Sequence, residues 1–356
     1  MPNERPPSVR PSPWRVTSIG RAKLWAPMPG LLICLIIAAA AQFLADHYGA
    51  PQMLFALLLG MAVHFLSEEP KIAVGIEIAA RTVLRTGVAL LGFRISVEQV
   101  MSLGWQPLLW IAAGVAATIA IGGLAGRLMP CGPRLGILSG GSVAVCGASA
   151  ALAISAILPK DKDLERNTVV VVIAVTTLST LAMVAYPILA LAIGLDWRQS
   201  GLFLGGTIHD VAQVVGAGYG MSAETGDTST IVKLFRVALL APVVVILGLM
   251  FRSRGDEIAS SGGRGVVLGR LPIPLFLVMF VLFVAANSLG AVPDAAGPVL
   301  TEVSRWCLVT AISALGVKTS LKSLRTVGAG AVGLIVLETL FLGGWVLLGI
   351  GWVVAG

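Results

Sequence analysis

Charge is what this sequence has least of. Asp, Glu, Lys and Arg make up 12% of its 356 residues, about half of what a soluble domain carries. An ordinary water-soluble enzyme is excluded on that ground. Histidine is scarce, with three copies, and neither an HExxH nor a GxSxG arrangement occurs, so two common catalytic signatures are missing. The four cysteines, Cys34, Cys131, Cys146 and Cys307, lie far apart with no CxxC pair. They point to neither a disulfide scaffold nor a metal site, and no cofactor motif is present.

Apolar residues are abundant, at 56% with a mean hydropathy of +0.92. That much apolar surface excludes disorder. A spanning helix needs about 20 mostly apolar residues, and the chain has room for about eleven. An all-α, polytopic membrane protein follows. The net charge of +7 and the pI near 9.6 could suggest a nucleic-acid partner. Many of the basic residues instead fall in a short tail and in loops, with no continuous basic face or nucleic-acid motif. The partner they imply is the lipid bilayer, with positive charge kept on the cytoplasmic side.

Apolar runs occupy residues 29–46, 51–67, 70–93, 105–128, 133–158, 167–194, 199–220, 228–250, 270–290, 299–317 and 327–353. Residues 1–28, with Arg5, Arg10, Arg15, Arg21 and Lys23, read as a basic cytoplasmic tail, and 29–356 as the transmembrane domain. A retained signal-anchor fits the first run better than a cleaved signal peptide, because ten more runs follow. If every run crosses, sixteen loop and tail basic residues lie inside and five outside (Arg94, Lys160, Lys162, Arg166 and Arg305). If the glycine-rich run 133–158 alone re-enters, the tally falls to twelve against nine. The positive-inside rule therefore favours a full crossing, eleven spans, N-terminus in and C-terminus out.

The stretch Leu91-Gly92-Phe93-Arg94-Ile95-Ser96, with Gly104 beyond, recurs as Leu315-Gly316-Val317-Lys318-Thr319-Ser320 with Gly328, at a constant offset of 224. In the eleven-span reading the two copies run in opposite directions. Inverted repeats mark secondary transporters that work by alternating access. A second echo, G-x-x-x-G-G-[ST]-[VI], joins 136–143 to 201–208. Eleven crossings give these two runs the same direction, so the inverted repeat does not account for this echo. Close helix packing through small residues would also produce both patterns.

Gly140-Gly141-Ser142-Val143-Ala144-Val145-Cys146-Gly147-Ala148-Ser149-Ala150 lies in the middle of a run. Glycines so dense weaken a helix by ~1 kcal/mol each relative to Ala. A broken helix there exposes backbone N–H groups at the positive end of its second half, a place for an anion. Gly205-Gly206-Thr207-Ile208-His209-Asp210-Val211-Ala212-Gln213 is the sharper signal. His, Asp and Gln within one five-residue stretch close to mid-span cost several kcal/mol unless paired or wet. Residues 205–214 are expected to form a second interrupted helix that meets the first near mid-membrane. His209 titrates near neutrality, with Asp210 as its partner or as a proton or sodium site. Lys233 and Arg236 share one helix face, as do Arg81 and Arg85. Snorkelling competes for Lys233, and a cavity or Glu77 for the arginine pair. Glu338, deep in the last run, needs a partner. The substrate-binding candidates are Ser142, Cys146, Gly147, Ser149, Thr207, His209, Asp210, Gln213, Lys233 and Arg236. Cations facing small-residue helices suit a small anion.

The segments 140–150, 205–214 and Val-Lys-Leu-Phe-Arg-Val at 232–237, with Leu-Leu-Gly-Phe-Arg-Ile-Ser at 90–96, resemble the YeiH-type sulfate exporter family. The resemblance runs from about residue 30 onward. It implies a bacterial inner-membrane transporter related to the bile-acid, arsenite and sodium/proton antiporter groups, exporting sulfate or a related sulfonate. The alternatives are an integral-membrane enzyme acting on a lipid-linked substrate, and an anion channel, which needs no alternating gates. The short loops disfavour the enzyme. The anion, the coupling ion (a proton or sodium) and a homo-oligomeric assembly stay open.

Overall fold

A computed structural model describes residues 27–159, 163–252, 274–293, 295–319 and 328–353, which are helical with no strand. The basic tail up to residue 26, Lys160, Lys162, Arg254, Arg264, Arg270, Lys322, Arg325 and the Ser320 end of the repeat lie outside the described residues. The helices are α1 (Met28–Tyr48), α2 (Gln52–Ala62), α3 (Pro70–Ile78), α4 (Leu84–Leu90), α5 (Val97–Ser102), α6 (Trp105–Leu128), α7 (Pro133–Ala144) and α8 (Ala148–Ser155). Then come α9 (Leu164–Ala192), α10 (Trp197–Thr207), α11 (Val211–Met221), α12 (Ala223–Ala238), α13 (Leu240–Arg252), α14 (Leu275–Ser288), α15 (Ala296–Lys318) and α16 (Ala329–Val353). A π-helical turn, Ala79–Val83, joins α3 to α4. By length and composition, α1, α6, α9, α15, α16 and the combined α12–α13 can cross a membrane. The chain is a multi-pass membrane protein.

Glycine decides how the helices approach. In the α6–α7 pair, Gly122 and Gly126 face Gly136, and a Cβ on Gly136 would overlap the carbonyl oxygen of Gly122. Such backbone contact is the packing that small residues allow in lipid. Two bundles result. The first contains α1, α2, α3–α4, α14 and α15, with Gly60 against Gly316, and Gly92 against Phe280 and the backbone N of Val284. The second contains α6 to α12 and α16. There α6 and α16 run antiparallel and stack Trp110 on Trp345, each indole N–H donating to the other's carbonyl at 2.9 and 3.0 Å.

The structure corrects the path of two runs. Residues 133–155 do not pass straight through, because Gly141 lies against the Ile154 side chain. Thirteen residues of straight helix would separate them by ~20 Å. The chain reverses at Val145–Gly147, where Gly147 takes φ +63° and ψ −123°, a conformation open to glycine alone. Residues 197–221 also fold back. Gly201 and Gly205 of α10 meet Thr228 and Val232 in parallel register, whereas Gly218 and Tyr219 of α11 meet Ser229 and Gly226 in antiparallel register. Thr225 Oγ1 donates to the Trp197 carbonyl at 3.1 Å, so both ends of this hairpin sit at the start of α12.

The first helices of the two hairpins run in opposite directions. Helix α7 is antiparallel to α6 and parallel to α16, pairing Cys131 with Gly330 and Ser139 with Glu338. Helix α10 is antiparallel to α16, with Gly206 against Val346 and His209 against Thr339. Hence α7 and α10 point toward each other.

Candidate functional site

The hairpin tips meet. A Cβ on Gly147 would lie 3.8 Å from the Cβ of His209. Helices α7 and α10 both end at this point, and the last carbonyls of any helix have no partner within it. In a dry interior each needs a donor. The donors come from α12. Lys233 Nζ donates to Val145 O at 2.6 Å and Ile208 O at 2.9 Å, bridging the tips. Arg236 donates to Val143 O (2.9 Å), Ala144 O (2.9 and 2.6 Å), Gly205 O (3.0 Å) and Ile208 O (3.1 Å). These bonds occupy all five guanidinium N–H groups, and positive charge is favourable at two negative helix ends. Both side chains are wholly buried, at the eleventh and fourteenth positions of the apolar stretch Ala223–Phe251. Lys233 does not snorkel.

The expected pairing of His209 with Asp210 is replaced by other bonds. His209 Nε2 lies 3.1 Å from Thr339 Oγ1 of α16, and its buried Nδ1 has no hydrogen-bond partner among the described residues. Asp210 caps α11, its Oδ1 accepting from Ala212 N at 2.9 Å, while its own N–H donates to Ser179 Oγ at 3.1 Å. Gln213 joins the same anchor on α9, accepting from Ser179 Oγ at 2.7 Å and donating to Thr180 Oγ1 at 3.0 Å. Ser142 and Thr207, equivalent positions of the G-x-x-x-G-G echo, donate back to Leu138 O and Phe203 O at 2.6 and 2.5 Å. Cys146 and Gly147 are buried in the first tip. Ser149, on the first turn of α8, is exposed and Asp210 is half-buried.

Arg81 and Arg85 belong elsewhere. Both are exposed on the outside of the first bundle rather than in a cavity, and Arg81 pairs with Glu77, which also holds Lys318. Nothing brings them to the tips.

The family model described as conserved hypothetical protein 698 matches residues 29–334. A UPF0324 membrane protein of Chlorobaculum tepidum is 55% identical over 91% of this chain and 89% of its own length. A UPF0324 membrane protein of Rhizobium meliloti is 51% identical over 90% and 92%. The UPF0324 membrane protein TauZ of Paracoccus denitrificans is 51% identical over 93% and 96%. The chain belongs to the UPF0324 family of membrane proteins. No solved structure matches it.

The motifs at 140–150 and 205–214, expected from the sequence to meet, thus form one junction with 232–237 in this UPF0324 protein. Reading the sequence missed Ser179, Thr180, Ser139 and Thr339, because single hydroxyls in apolar runs look like helix-packing residues. It also missed Asp227, whose Oδ1 accepts from Tyr219 Oη at 2.6 Å and lies 3.1 Å from Arg94 Nε. That pair ties the first bundle, at the end of α4, to the second. A Tyr and an Asp eight residues apart beside an apolar run were the available signal.

Proposed function

We propose that this protein is a secondary transporter of the bacterial inner membrane, moving a small anion such as sulfate or a sulfonate by alternating access. The observation that carries the reading is the tip-to-tip junction of two oppositely inserted hairpins, held at mid-span by buried cations. Irregular backbone at membrane depth is tolerated where protein satisfies it or a cavity wets it, and helices broken at mid-membrane form substrate sites in transporters.

Nine crossings and two re-entrant hairpins replace eleven crossings in this reading. Charge supports the change. Two re-entries preserve the parity of the later spans, so only the loops between the hairpins change sides. Lys160, Lys162 and Arg166 move inside and Arg198 moves outside, giving eighteen basic residues inside against three. The N-terminal tail stays cytoplasmic, as the positive-inside rule favours.

An inverted repeat is supported by register. Gly60 packs on Gly316, and Gly92 packs at Val284; advancing 60 and 92 by 224 gives 284 and 316. The same step carries the start of α6, Trp105, onto the start of α16, Ala329. The shorter echo also gains a topological account, since it joins α7 to α10, the oppositely directed entry helices of the hairpins.

For the anion, the N-terminus of α8 with exposed Ser149 remains open, together with the third N–H of Lys233. Arg236 contributes its charge but no free donor, and Asp210 already occupies the N-terminus of α11. The test is thermal stabilisation of the purified protein by a panel of anions, since a ligand that binds only the folded state raises the melting temperature. Counterflow of the stabilising anion in proteoliposomes completes it. Stabilisation without counterflow would leave a channel or a lipid-directed enzyme as the better account.

A further inference from the structure

Glu338 stands near this junction without a role. It lies in α16, fully buried, next to the Thr339 that meets His209. Its Oε1 is 2.7 Å from Ser139 Oγ, and Ser139 Oγ is 3.3 Å from Gly136 O. Its Oε2 is buried with no hydrogen-bond partner among the described residues. Gly122 of α6 leaves the space it fills, for a Cβ there would stand 2.6 Å from Oε1.

The charged and titratable groups on the surrounding helices do not neutralise it. Arg127 of α6 and Arg134 of α7 lie five residues beyond Gly122 and Ser139, toward the helix ends. Helix α9 brings Tyr186 to Gly343, a turn further along α16. His209 meets the neighbouring Thr339, and Lys233 and Arg236 are engaged by carbonyls. An ionised carboxylate here would hold one hydroxyl bond and no cation, which a dry interior penalises by several kcal/mol. A neutral carboxyl fits both distances. When neutral, its O–H would donate to Ser139 Oγ, whose own hydroxyl donates to Gly136 O; when ionised, its Oε1 accepts from Ser139 Oγ instead.

We propose that Glu338 is a proton-binding site, a carboxyl carried neutral between α6, α7 and α16, and that its proton is the ion coupled to transport. The second half of this statement rests on the transporter reading; the first does not. Deprotonation would turn the Ser139 hydroxyl from Gly136 O to the carboxylate and place an uncompensated charge against the glycine contact of α6 and α7. The proton thus sets both the direction of the Ser139 link and the charge that this contact must bear. Six residues of α7 separate Ser139 from the loop that the charge distribution assigns to the cytoplasm.

The experiment is infrared difference spectroscopy of the full-length protein in proteoliposomes, stepped from neutral to alkaline pH. The wild type should show the carbonyl stretch of a protonated carboxylic acid at neutral pH, lost as pH rises, and Glu338→Gln should lack it. Ser139→Ala, which keeps the acid, should shift the band to the frequency of a less hydrogen-bonded carboxyl; it serves alone if the Gln variant does not fold. Wild-type spectra without that band, or a band unchanged in both variants, would overturn the proton site. Coupling is read separately, with sulfate and sulfoacetate as probes and an internal pH dye. Wild-type vesicles should show anion-dependent proton movement and Glu338→Gln vesicles should not. Wild-type proton movement that persists in Glu338→Gln would refute the coupling role. The band without wild-type flux of any tested anion would sink the transporter reading and the coupling role while the proton site stands.

Discussion

Removing the guanidinium of Arg236 should unfasten both hairpins at once. Arg236→Met keeps the length and apolar stem but strips five N–H groups from four carbonyls. Ile208 O retains Lys233 Nζ, so Val143, Ala144 and Gly205 are the oxygens left without this donor. At about 1–3 kcal/mol for each buried group left unsatisfied, the loss is roughly 3–9 kcal/mol. With ~2 °C per kcal/mol in a large domain, the melting temperature should fall by roughly 6–18 °C. The assay is thermal unfolding of detergent-purified protein, followed by loss of monodispersity. Arg236→Lys, with three donors in place of five, should fall between the wild type and Met. A Met variant within about 2 °C of the wild type would mean that water or rearranged backbone satisfies those carbonyls. The account of the junction as a cation-stapled pair of helix ends would then be wrong.

Lys233→Met should destabilise less, since it removes two bonds, yet should weaken anion-induced stabilisation more than Arg236→Lys does, because Lys233 alone keeps a spare donor. His209→Gln should leave the pH profile of transport intact between about pH 5.5 and 8.5, a window bracketing ordinary histidine titration, and a flattened profile would move the coupling proton from Glu338 to His209. Gly136→Ala should force α6 and α7 apart at Gly122 and lower the melting temperature by several degrees; unchanged melting would refute the contact. Single cysteines at Arg127 and Pro159 should react with an impermeant maleimide from one side of the membrane and cysteines at Arg198 and Ser222 from the other, whereas a straight crossing by 133–158 would separate Arg127 from Pro159. Asp227→Asn should loosen the Arg94 tie between the bundles by about 1 kcal/mol, read as faster labelling of a cysteine at Gly216, which faces Ile312 across the bundle boundary.

Much of this junction was legible in the residues. Glycine density at 140–147 and 205–206 located both helix breaks, because each glycine lowers helix propensity wherever it stands. What glycine content does not encode is the angle at the break. Gly147 permits a reversal, but only the seat for Ile154 against Gly141 decides that one occurs. The cost of burying charge at 209–213 and 233–236 was legible, with snorkelling left open for Lys233; the partners were less so. Lys233 and Arg236 bond backbone carbonyls, which every residue possesses, so no spacing rule could name the acceptors. His209 and Asp210 adjoin in sequence, yet the turn between α10 and α11 sends them to different helices. Glu338 needed a partner on any reading, and that partner, Ser139, is a single hydroxyl 199 residues away.

The cation staple also fixes an order of events during synthesis. The first hairpin is complete about 80 residues before Arg236 leaves the ribosome, an interval of roughly 4–16 s at 5–20 residues per second. Throughout it the carbonyls at 143–145 lack their donors, and lipid offers none. Helix α12, arriving later, carries Lys and Arg near its centre, each costing ~3 kcal/mol to insert alone. Neither piece is at ease in the bilayer by itself. In the re-entrant reading, the first hairpin therefore needs a wet or protein-lined compartment until α12 emerges, and the two should pass into lipid as one preassembled unit.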